Sequence, residues 1–126
     1  MNTFLWAQII VCFLFGILLF FAPALTVSAY VITDLEGNGA IETISRVYGA
    51  VLLGLGFLGH RIRTEESTAA KRSYIMATTI ANLLVTGVHI RAIMQGVENE
   101  TGWATAILTA GLTVWGGILL LGRGKG

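Results

Sequence analysis

Four long apolar stretches alternate with short polar ones, and the polar residues within each stretch recur at helical rather than strand spacing. Each stretch approaches the roughly 20 apolar residues that a helix needs to cross a bilayer. The predicted spans are 4–22, 41–59, 73–94 and 103–121. The third carries the strongest pattern. Thr78, Asn82, Thr86 and His89 interrupt it, and at about 100° per residue they fall within an arc of roughly 80° on one helical face. Lipid cannot hydrogen-bond these groups, so the face is expected to look at other helices or at a wet cavity.

The remaining spans show weaker stripes. Gln8, Cys12 and Gly16 mark the bundle face of the first, which is expected to stop before Pro23. Val27-Ser28-Ala29 resembles a leader-cleavage site. No Lys or Arg precedes the apolar run, however, and the run exceeds the roughly 7–15 residues usual for a leader, so it is read as a retained helix. Residues 24–32 are expected at the interface with Tyr30 as an aromatic anchor. In the second span Glu42, Arg46, Gly49, Ala50, Leu53 and Phe57 share a face opposite Ile44, Tyr48, Val51, Leu52, Leu55 and Leu58. Small residues mark helix contact, which points Arg46 inward and makes Gly49, Ala50 and Gly54 packing positions. In the fourth span Gly102, Thr105, Ala106, Thr109, Ala110, Thr113, Gly116 and Gly117 form the packing side, opposite Ile107, Val114, Trp115, Ile118 and Leu121.

Composition strengthens the membrane reading. The chain is 55% hydrophobic and 12% charged, against about 25% charged in soluble domains. The net charge of +1 says less than its distribution. Arg61, Arg63, Lys71, Arg72, Arg123 and Lys125 fall at one set of span ends; Asp34, Glu36, Glu42, Glu98 and Glu100 fall at the other. The expectation is a single-domain, all-α integral membrane bundle of four transmembrane helices, with both termini and a charged His60–Arg72 loop in the cytoplasm. The basic end suits anionic lipid rather than nucleic acid. Cys12 is the single cysteine, which excludes an intramolecular disulfide and a cysteine-pair metal site.

The candidate chemistry is a polar intramembrane cluster of Glu42, Arg46, Thr78, Asn82, Thr86 and His89. Arg46 and His89 lie at similar depth, and Glu42, one turn before Arg46, is its expected partner. Arg91 is expected to snorkel and to pair with Glu98 or Glu100. His89 reads either as a hydrogen-bonded tie between helices or as the lone axial ligand of a haem or pigment. A bis-histidine haem is excluded, because His60 lies more than about 20 Å away at helical rise. Asp34, Glu36 and Asn38, followed by Gly39 and Ile41, match the start of a calcium loop. Ser45 stands where the bidentate acid belongs, leaving Glu42, Glu98 or a neighbour to complete the shell; a plain Asn-Gly turn is the alternative. No other cofactor is expected. No nucleophile with a base, phosphate loop or pair of catalytic carboxylates is present, which argues against an enzyme.

Phe21-Ala22-Pro23, Arg46-Val47-Tyr48-Gly49-Ala50-Val51-Leu52-Leu53-Gly54-Leu55-Gly56 and His89-Ile90-Arg91-Ala92-Ile93-Met94-Gln95-Gly96 carry a resemblance that extends over the whole chain. The sequence resembles a family of small bacterial four-span integral membrane proteins of unknown function. That implies a location in the bacterial cytoplasmic (inner) membrane and a fold, but no activity. Two functions fit. The first is an accessory subunit packed against a larger membrane complex, suggested by the bulk of Phe4, Phe13, Phe15, Phe20 and Phe21. The second is a small oligomeric transporter or channel using the polar face of the third span.

Overall fold

The computed structural model describes residues 1–31 and 39–122. Among them run five helices: α1 (Asn2–Phe21), α2 (Pro23–Ser28), α3 (Gly39–Thr64), α4 (Thr68–Met94) and α5 (Thr101–Leu121). The described residues are otherwise linked only by an isolated antiparallel bridge between Val31 and Glu98. All but α2 are long and apolar enough to cross a membrane. Their outer faces present Ile10, Leu14, Ile44, Leu84, Val88, Ile107 and Ile118, each more than half exposed. Contiguous apolar surface on that scale suits hydrocarbon better than water.

Helix boundaries depart from the sequence expectation at both ends of the bundle. The expected His60–Arg72 loop shrinks to Glu65–Ser67, because α3 and α4 each continue past their apolar cores. Arg61 pairs with Glu65 at 3.4 Å, one turn on. Ser67 caps α4, its hydroxyl accepting from the Ala70 N–H at 3.2 Å. Pro23 ends α1 as expected but also opens α2, where its missing N–H costs nothing.

The helices pack as two antiparallel pairs, α1 with α3 and α4 with α5. The first crossing is a backbone contact. A Cβ on Gly49 would stand 2.6 Å from the Phe20 nitrogen and 2.9 Å from the Gly16 carbonyl oxygen. The buried stripe of α3 is therefore Ser45, Gly49, Gly56 and Gly59. This corrects the expected face, since Arg46 and Ala50 are exposed and a Cβ on Gly54 would meet nothing. Small residues occur on both sides of α3, so their presence does not define its rotation. In α5 the buried stripe holds Gly102, Thr105, Ala106, Thr109 and Gly116. Gly116 packs on Thr79, whereas Gly117 has open space beside it. Thr113 is half-buried and bonds to the Thr109 carbonyl within its own helix.

Where the pairs meet, Phe4, Leu5, Tyr74, Ile75 and Leu112 form the core. The Tyr74 hydroxyl donates to the Leu55 carbonyl at 2.9 Å and ties α4 to α3. Of the phenylalanines of α1, Phe4 is fully buried against Trp115, Phe13, Phe15 and Phe20 are half-buried, with Phe13 edge-on to the exposed Phe57, and Phe21 is exposed.

Candidate functional site

Between the helix pairs, away from the core at Phe4 and Tyr74, lies a partly open cavity of about 240 Å³. Val11, Phe15, Leu19, Leu52 and Val85 supply apolar wall. Its polar groups come from four helices and the segments beside them: Gln8, Tyr30, Ser45, Asn82, His89, Glu98, Thr105 and Thr109.

Hydrogen bonds order most of these groups. The Asn82 amide donates to Gln8 Oε1 at 2.9 Å, and Gln8 Nε2 in turn faces Cys12 Sγ at 3.5 Å. Both amides are buried, so the bond links α1 and α4 across the boundary between the pairs. Thr86 and Thr109 share a hydroxyl bond of 2.7 Å, and each also lies within reach of a carbonyl one turn back. Two hydroxyl hydrogens thus serve one bridge and one backbone oxygen. Thr78 bonds only within its own helix, to Tyr74 and Ile75 carbonyls.

At the cavity end away from that core, His89 Nδ1 lies 2.7 Å from Glu98 Oε2, with both side chains more than four-fifths buried. The turn after α4 makes this possible. Gly96 takes φ 71°, while Gly96 and Val97 donate to the Ile93 and Ala92 carbonyls. This is a Schellman closure, with glycine in the left-handed position, and it folds Glu98 back beneath His89. Gly102 leaves the space, since a Cβ there would stand 2.5 Å from Glu98 Oε2. A strap covers the same end. Asn99 donates from its backbone to the Tyr30 carbonyl at 2.7 Å and from its side chain to the Ala29 carbonyl at 2.9 Å. The Tyr30 hydroxyl reaches Thr105 at 2.6 Å.

The expected cluster is therefore divided. Asn82, Thr86 and His89 stand along one buried face of α4, at or beside the cavity, whereas Glu42 and Arg46 belong elsewhere. No ion pair joins Glu42 to Arg46 among the described residues. Arg46 Nη1 instead donates to the Phe20 carbonyl at 2.9 Å. That oxygen lies in the last turn of α1, where Pro23 interrupts the ladder and the helix dipole favours a cation. Arg72 does the same for α5, donating to the Leu120 carbonyl at 2.7 Å. Glu98 pairs with His89, not with Arg91, which is exposed. Of the calcium-loop candidates, Asp34, Glu36 and Asn38 lie outside the described residues, and Glu42 sits half-buried in the first turn of α3. The described residues contain no group of three His, Cys, Asp or Glu placed to hold a metal ion. Gln8 and Glu98 are the site residues that spacing undervalued. Gln8 was visible as the only amide in the first span, whereas Glu98 depends on the turn at Gly96.

This is an all-helical protein with an apolar exterior and a partly open cavity between its helix pairs. The chain belongs to the family described as Domain of unknown function (DUF8292), whose profile matches residues 4–124. Comparison with curated proteins finds no match, and comparison with solved structures finds none.

Proposed function

We propose that this is a non-catalytic, multi-pass protein of the bacterial cytoplasmic membrane that binds a compact ligand in its cavity, as a small carrier or transport component does. The cavity carries this reading. Its volume of about 240 Å³ exceeds the roughly 150 Å³ that accommodates benzene. It falls just short of the about 300 Å³ at which drug-sized sites begin. A single ring or short chain with a polar end fits. The alternative, an accessory subunit packed against a larger membrane complex, draws on the exposed Phe21 and the half-buried Phe13, Phe15 and Phe20, whereas Phe4 is buried within the bundle. Four helices of spanning length favour a membrane location. Arg61, Arg63, Lys71 and Arg72 cluster near the α3–α4 turn, which favours that end, with both termini, in the cytoplasm.

Native mass spectrometry of protein released from its own membrane in mild detergent tests the reading. A small adduct is expected, and Val85→Phe, which fills the cavity from its wall, should remove it. A stable complex with one larger membrane protein, and no small adduct, would return the accessory-subunit reading.

A further inference from the structure

We propose that the ligand is an organic cation with N–H donors, a primary or secondary ammonium on a short apolar body. The inference rests on the ligand-binding reading above and specifies its chemistry. Glu98 is the only acid among the described residues that line the cavity, and no described Lys or Arg lines it. Its Oε2 is engaged by His89, and Oε1 has no hydrogen-bond partner among the described residues. The imidazole engages one carboxylate oxygen and leaves the other to accept from a ligand at the edge of an apolar chamber. A carboxylate oxygen in such surroundings is best matched by a cationic N–H donor.

Four of the described cations are engaged elsewhere, and Lys71 and Arg91 do not line the cavity. Arg46 and Arg72 cap helix ends, Arg61 pairs with Glu65, and the Arg63 guanidinium lies 4.3 Å from the centre of the Trp6 ring. The other oxygen groups extend the same preference. Asn82 Oδ1 accepts no hydrogen bond, and the Ser45 hydroxyl makes none, among the described residues. Tyr30, within 5.9 Å of the His89 ring, adds an aromatic face to the wall. An ammonium group beside Glu98 meets its free oxygen, and its hydrocarbon body meets Val11, Phe15, Leu52 and Val85.

Calorimetry in phosphatidylcholine nanodiscs, with 2-phenylethylammonium, 2-phenylethanol and 3-phenylpropionate as probes, tests the class. The ammonium should bind at least about tenfold more tightly than either isostere. Glu98→Gln should abolish that margin, and Glu98→Asp should retain most of it. The wild-type ranking stands even where a variant fails to fold. Equal binding of ammonium and alcohol would overturn the cationic class and leave the cavity reading intact. Preference for the carboxylate would overturn it in favour of an anion held by protonated His89. Binding of none of the probes would overturn both. Replacing part of the phosphatidylcholine with phosphatidylethanolamine distinguishes the source. Weakened probe binding identifies a lipid headgroup ammonium as the occupant, and unchanged binding identifies a free amine.

Discussion

Buried amides and hydroxyls are the groups through which single residues exert most control here. Gln8 and Asn82 are each buried, and a side-chain hydrogen bond of 2.9 Å joins them. Asn82→Leu leaves Gln8 Oε1 without its donor and should lower stability by about 0.6–2 kcal/mol. Gln8→Leu combined with Asn82→Leu should cost less than the two single changes summed, because the pair is removed as a unit. Thermal unfolding in detergent measures all three, and simple additivity would show that the bond is idle. This part of the site was legible in the sequence, since four polar residues on one helical face have few places to go. The His89–Glu98 contact was not. It depends on a left-handed glycine turning the chain through a direction that residue spacing does not specify.

At the scale of helices, spans were easier to locate than to orient. Apolar length locates four helices long and apolar enough to cross a membrane, but the rotation of α3 depends on which glycines touch a neighbour. Gly49 touches the α1 backbone, whereas Gly54 has nothing within 4 Å. Gly49→Val should therefore force α1 and α3 apart and cost about 1–3 kcal/mol or more. Gly54→Val should change stability by no more than roughly 0.5 kcal/mol. Unfolding midpoints of the two variants provide the comparison; similar losses would contradict the crossing at Gly49. Arg46 was misplaced for a related reason. Small neighbours along α3 suggested an inward face, while its partner is a main-chain oxygen on α1, which no side-chain pattern announces.

Across the whole molecule, the two ends have different charge and different construction. The basic end is closed by the short Glu65–Ser67 connection and the Phe4–Tyr74 core, and the opposite end holds the cavity under its strap. With Cys12→Ser as background, a cysteine replacing Glu66 should react with an impermeant maleimide only from the cytoplasm. One replacing Gln95, exposed in the α4–α5 turn, should react only from outside. Labelling of both from the same side would exclude the four-span arrangement. The arginine ties at the two ends carry a different kind of consequence. Arg46 and Arg72 each hold a carbonyl oxygen, not a side chain, so Phe20 and Leu120 can mutate without removing the acceptor. Neither tie demands a compensating change when its partner position drifts. Among relatives, therefore, the Gln8–Asn82 and His89–Glu98 contacts should leave correlated substitutions, while the two arginine contacts leave none and stay invisible to any inference from sequence covariation.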